Sequence, residues 1–174
     1  LAERFGARVE AWQTDNEFHA SPDYSGHTKN LFHAWLEKKY KSIENLNQIW
    51  RTNLWSQHYD NFGQIPLPTD RIWHHPSLRM EWGRFNNEQV VEYQLIHVEA
   101  IRKYSDLPIT HDGMPGQTLN YPDLFKDLDF MTTNVYHSFQ VYDRVQSNYD
   151  RLRGYAKGMH WLFETAPNYS GGGP

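Results

Sequence analysis

Residues 10–19 read EAWQTDNEFH. The stretch opens as an apolar strand, yet it ends without the Gly or Pro that would close an ordinary core strand. It ends instead in Asp15, Asn16 and Glu17, an amide beside carboxylates, followed by Phe18 and His19. A strand that delivers polar groups at its C-terminal end suits an open site, and the rest of the chain must supply partners for them.

Further along, the same arrangement recurs. Residues 7–14 (ARVEAWQT) read as a short buried strand leading into the DNE. Residues 28–40 carry Leu31, Phe32, Trp35, Leu36 and Tyr40 at helical spacing. Ser42 predicts an N-cap for a second short helix bearing Ile43, Leu46, Ile49 and Trp50. From Trp55 to Pro76 the chain is rich in breakers, and 77–104 then follow a long helical pattern. Leu107–Thr110 predicts a strand ending in His111-Asp112, 121–127 a short helix, and 128–136 a strand with Tyr136 at its end. A helix over 141–156 and a strand over 157–164, ending in Glu164-Thr165, complete the pattern, and the SGGGP tail reads as loop.

Strands alternating with helices imply parallel pairing through right-handed crossovers. All four predicted strands lead into polar residues. In a (β/α)8 barrel the active site is assembled from the C-terminal strand ends. A doubly wound sheet also collects polar groups at its carboxyl edge, but no Gly-rich phosphate loop is present.

Composition narrows the function. The 174 residues suffice for one domain with a sizeable core. Aromatics reach 16%, which excludes disorder and suits either a ring-rich core or a site that stacks flat ligands such as sugars. The net charge of −4 and the lack of a basic stripe exclude the electrostatic footprint of nucleic-acid binding. Without cysteine there is no disulfide and no thiolate metal site. No apolar run approaches membrane-span length. No signal peptide is visible and a cytoplasmic location is the expectation; the opening LAERFGARV lacks Met, so the natural start is expected elsewhere.

Glu17 and Glu164 each end a predicted strand. Two carboxylates flanking a glycosidic bond can divide the work of acid/base and nucleophile, at about 5–5.5 Å for retention and roughly 6.5–9.5 Å for inversion. The acid must keep its proton near neutral pH, through burial or the other carboxylate. The alternative is a pair of ion-pair partners at a barrel mouth.

The runs WQTDNEF, FHAWLEKKYKSIENLNQIWRTNLWSQHYDNFGQIPLP, PSLRMEWGRF, LFKDLDFMTTNVYHSF and WLFETAP together resemble the glycoside hydrolase family 42 β-galactosidases over nearly the whole chain. The resemblance implies a retaining (β/α)8 hydrolase with its acid/base after strand 4 and its nucleophile after strand 7. Glu17 then matches the acid/base, Asn16 the amide that contacts the sugar 2-hydroxyl, Glu164 the nucleophile, and Tyr136 the tyrosine that hydrogen-bonds the nucleophile. A whole barrel takes about 250 residues, so the chain is expected to cover strands 4 to 7, with an insertion at about 42–76, and to be inactive alone.

The implied substrate is a terminal β-D-galactosyl residue of a galactoside or oligosaccharide. An α-L-arabinopyranosidase or a non-catalytic carbohydrate-binding barrel is the alternative, because arabinopyranose lacks only the hydroxymethyl group. The resemblance also implies a homo-oligomer, a trimer. No cofactor is implied. Some family members carry a cysteine cluster for zinc after the acid/base; here HASPDYSGHTKN stands in its place, and His19, Asp23, His27 and the pair His74-His75 read as loop residues, so no metal is expected. Trp55, in the turn-rich insertion, is a candidate for stacking on the sugar or for anchoring that insertion.

Overall fold

A computed structural model describes residues 1–114, 119–137, 142–155, 158 and 160–167. The elements in chain order are α1 (Ala2–Phe5), β1 (Trp12–Asn16), α2 (Gly26–Tyr40), α3 (Ile43–Trp50), α4 (Pro76–Arg102), β2 (Ile109–Asp112), α5 (Tyr121–Leu124), β3 (Met131–His137), α6 (Tyr142–Tyr155) and β4 (His160–Pro167), with short 3-10 turns at Gly6–Arg8, Leu54–Ser56 and Phe62–Gln64. The first predicted strand needs correction: Gly6–Arg8 is a 3-10 turn and pairing begins only at Trp12. The SGGGP tail and the Trp55 side chain lie outside the described residues.

The chain divides into two compact units, residues 21–88 and residues 1–20 with 89–174. The first is helical. Its core is a ring-rich cluster of Phe32, Leu36 and Tyr40 from α2, Leu46 and Trp50 from α3, and Leu78, Trp82 and Phe85 from the start of α4, closed by Ile65. The spacings i, i+4, i+8 on α2 and i, i+4, i+7 on α4 put each set on one face. Leu31 and Ile49, included in the predicted stripes, turn out exposed because they fall off those faces. Ser42 caps α3 by accepting from Asn45 N at 3.2 Å. The turn-rich stretch 51–75 satisfies its backbone through side chains: Asn47 bonds both the N–H and the carbonyl of Tyr59, and His33 pairs with the Ile65 carbonyl at 2.8 Å. His74 lies in a loop, as expected, yet is buried, its Nε2 accepting from Thr69 N at 3.0 Å.

The other unit holds the strands. β1 pairs parallel with β2, and β3 parallel with β4. Between β2 and β3 two backbone bonds, Asp129 N to Ile109 O and Asn134 N to Gly113 O, bracket two hydroxyl bonds, Thr110 Oγ1 to Phe130 O and Thr132 Oγ1 to His111 O. The strands thus form two two-stranded parallel sheets, β1–β2 and β3–β4, and these bonds set β3 beside β2 in the same direction. Leu119, Tyr121, Leu124, Met131 and Leu152 form the apolar cluster of this unit, with Phe18, Val90, Val91 and Phe125 packed against it.

Close packing where β2 ends leaves no room at Gly113. An added Cβ would sit 2.8 Å from the Thr132 carbonyl oxygen and 2.9 Å from the Tyr121 ring. Because the first obstacle is backbone, Gly113→Ala is expected to destabilise the protein by about 1–3 kcal/mol in urea unfolding.

Candidate active site

Both glutamates singled out from the sequence sit beside an irregularity in strand pairing. In β1–β2 the register runs Gln13↔Thr110 and then Asn16↔Asp112, so β1 carries two residues, Thr14 and Asp15, against the single His111. In β3–β4 it runs Thr133↔Leu162 and then Asn134↔Glu164, so β4 carries the extra Phe163. An extra residue on one strand flips which side chain faces which way and bends the strand locally. On β4 the extra residue directly precedes Glu164; on β1 the two residues opposite His111 precede Asn16, and Glu17 follows.

Glu17 adopts φ 44°, a left-handed conformation that costs a non-glycine residue about a kcal/mol or more. Its own N–H donates to Asp112 O at 2.9 Å, and the next N–H, of Phe18, donates to His111 Nε2 at 3.2 Å. The Phe18 ring stacks on His111 with centroids 4.2 Å apart. With Nε2 accepting, the neutral imidazole carries its proton on Nδ1, which faces Thr14 Oγ1 at 3.2 Å; Thr14 in turn donates to Gln94 Oε1 at 3.4 Å. The conformation at Glu17 is thus held from both sides by β2.

The side chains converge through Asn134 on β3. Its Nδ2 donates to Glu17 Oε1 at 2.6 Å and to Asp112 Oδ2 at 3.0 Å. Asn134 is also the register partner of Glu164, whose Oε2 accepts a hydrogen bond from Tyr136 Oη. Asp112 lies within hydrogen-bonding reach of Glu164 and is 1% exposed. Glu17 and Glu164 are half-buried. Burial pushes the Asp112 carboxyl up to about 6; the Asn134 amide opposes this, while Glu164 and Glu17 reinforce it. The bond to Glu164 pushes the Tyr136 hydroxyl up to about 12, with burial and the surrounding carboxylates adding to it. Phenol and amide are thus the donors that face three carboxyl groups.

Of the residues expected at the site, Glu17, Glu164 and Tyr136 come together. Asn16 does not join them: it is exposed, and its side chain accepts from Gln13 Nε2 at 3.2 Å. Asp112 and Asn134 are brought in by the fold without having been singled out. Their signal was a polar residue in a strand interior or at its end, which becomes a site residue only once the strand order is known. Among the described residues no group of three or more His, Asp or Glu is arranged to hold a metal, and no helix is long and apolar enough to cross a membrane. Asp23 instead organises the start of α2, accepting from Ser25 Oγ at 2.5 Å and from Thr28.

A family model described as beta-galactosidase, glycoside hydrolase family 42, matches residues 1–170. The chain belongs to that family. Beta-galactosidase YesZ of Bacillus licheniformis is 37% identical over 163 residues, and beta-galactosidase BgaH of Haloferax lucentense is 36% identical over 183 residues, each alignment taking in 91% of this chain. The chain spans about a quarter of the length of these relatives, 25% and 27%. Among solved structures, the beta-galactosidase of the psychrophilic Marinomonas ef1 superposes with a TM-score of 0.84 at 26% identity, covering 94% of this chain and 29% of that one. The enzyme of the Antarctic haloarchaeon Halorubrum lacusprofundi gives 0.72 at 36% identity, covering 78% and 21%. The described strands are accordingly part of an α/β fold of a TIM-barrel family.

The His111 contact has a consequence for acid stability. Burial holds its imidazole well below the ordinary 6.5, at about 4, with Asp15 opposing and His97 reinforcing the shift. The unfolded chain therefore binds a proton in this window that the folded one does not, and stability rises with pH. The contribution is complete above about 6.5 and is lost as pH falls toward about 4. The urea midpoint of the wild type is expected to decline through that window more steeply than that of His111→Gln, which cannot titrate.

Proposed function

We propose that the full-length protein is a retaining β-galactosidase that releases terminal β-D-galactosyl residues by double displacement, with Glu164 as nucleophile and Glu17 as acid/base. The observation that carries this reading is the Asn134 side chain: its amide holds Glu17, and its register partner is Glu164. Two carboxyls held one side chain apart suit the short separation that retention requires, about 5–5.5 Å. Family membership and the names of the relatives point to the same substrate.

In the first step the Glu164 carboxylate attacks the anomeric carbon while Glu17 gives its proton to the glycosidic oxygen, so the aglycone leaves as an alcohol. In the second, Glu17 takes a proton from water, the hydroxide attacks the same carbon, and the Glu164 carboxylate departs. Glu17 Oε1 accepts from Asn134, which leaves Oε2 to carry the transferable proton. Tyr136 fixes Glu164 through Oε2, leaving the other oxygen to attack. In the same reading β1 to β4 are barrel strands 4 to 7, residues 42–76 form an insertion, Asn16 contacts the sugar 2-hydroxyl and Trp55 stacks on the sugar. The assembly is a trimer in the cytoplasm.

Glu164→Gln in the full-length protein is expected to lower kcat by about 10⁴-fold or more while galactoside binding persists. Azide should rescue Glu164→Ala with an inverted glycosyl azide as product. Glu17→Ala should hydrolyse aryl galactosides with acidic leaving groups far better than alkyl ones, since the former need no proton. Hydrolysis unchanged in Glu164→Gln would sink the assignment.

A further inference from the structure

The chemistry just described uses two carboxyl groups, yet three converge, and the third is the most deeply buried of them. Resting on that reading of Glu17 and Glu164, we infer that Asp112 is a positioning residue for Glu164: in the working form of the site it keeps a proton on Oδ1 and donates it, as a hydrogen bond, to the Glu164 carboxylate.

The geometry leaves Asp112 little alternative. Its Oδ2 accepts from Asn134, but Oδ1 is fully buried and has no hydrogen-bond partner. An ionised oxygen left unpaired at 1% exposure is costly. The group in reach of Asp112 is Glu164, and two carboxylates are both acceptors, so the contact becomes a bond only when one proton lies between them. Depth decides who keeps it. Glu164 is half-buried and accepts from the Tyr136 hydroxyl. Asp112 shares the Asn134 amide with Glu17. Among the described residues, the titratable groups that face Asp112 are Glu17 after β1, Tyr121 on α5, Tyr136 on β3 and Glu164 on β4, and none of these supplies positive charge. The rise of the Asp112 carboxyl to about 6, caused first by burial, agrees with this assignment. With Asp112 neutral, Glu164 is held by two donors from two strands, and the cluster carries one negative charge fewer.

An amide can copy this arrangement, turning its oxygen to Asn134 and its N–H to Glu164; a methyl group cannot. In the full-length protein, Asp112→Ala is expected to lower kcat/KM by about 100-fold, and Asp112→Asn to recover it to within about tenfold of wild type. As pH is raised through about 6, wild type loses the Asp112 proton and Asp112→Asn has none to lose. The ratio of Asp112→Asn to wild-type kcat/KM should therefore climb across that range. A flat ratio, or an Asp112→Asn variant as poor as Asp112→Ala, overturns the inference. Carboxyl-carbon NMR of ¹³C-aspartate-labelled wild type tests it without a variant: one buried carboxyl should titrate near 6 in wild type and shift in Glu164→Gln, whereas titration of every aspartate in the ordinary range overturns it. Glu164→Gln also separates the two claims. If that variant is inactive and the ratio is flat, the catalytic reading stands and the role of Asp112 fails. If it is active, the catalytic reading fails, and the NMR titration still decides where the proton sits.

Discussion

Three carboxyl groups and two uncharged donors occupy one end of the parallel strands, and everything else in this unit serves to make that tolerable. Glu17, Asp112 and Glu164 have no ion pair among the described residues. Among the described residues the charge repulsion there is met by protons and by donated hydrogen bonds. Asn134 is the pivot: one –NH₂ group serves two carboxyls on two other elements. Its own Oδ1 is buried and unpaired, a second polar atom at the cluster without a protein partner. Such a centre is destabilising taken alone, and the native state tolerates it because the strands that carry it are fixed independently.

That fixing is done by backbone irregularity. A strictly alternating β1 would not place Asn16 beside Asp112 and project Glu17 from the next position in a left-handed conformation. The extra residue on β1, with His111 opposite it, makes the turn, and the Phe18–His111 contact secures it. The extra Phe163 on β4 shifts the register so that Glu164 pairs with Asn134. The strain at Glu17 and the two interrupted ladders are therefore costs concentrated at the candidate site.

Much of this was legible in the sequence and some was not, for physical reasons. Ser42 as a cap, the stripes on α2 and α3 and the long α4 followed from local rules. Glu17 and Tyr136 could be named because each lies at a strand end; Glu164 was also expected to end a strand, whereas β4 runs on to Pro167. The start of β1 was misplaced because Ala7 to Ala11 have strand-like composition, while helix and turn geometry wins at Gly6–Arg8. His74 lies in a loop as its sequence suggests, but only the fold shows that it is buried and that a backbone N–H needs its Nε2. Asn134 could not be found at all. It reads as one more polar residue in TTNV, and its importance lies in facing Glu17 and Asp112, contacts at sequence separations of 117 and 22.

The TTN segment of β3 also explains how the centre can be both polar and rigid. Thr132, Thr133 and Asn134 are all buried, where a purely hydrophobic strand would be the cheaper way to fill space. Between β2 and β3 the regular ladder is sparse, and hydroxyls take its place: Thr110 to the Phe130 carbonyl and Thr132 to that of His111. Between β3 and β4, Thr165 adds a bond to the Val135 carbonyl at 2.9 Å. A carbonyl has two lone pairs, and threonine uses the ones the ladder leaves open. Each such bond lets a strand keep its neighbour while the ladder shifts register, which is what the placement of Glu164 demands. Apolar side chains at the same positions would fill the volume but could not span the gaps in the ladder, and the carboxyls would lose their fixed geometry.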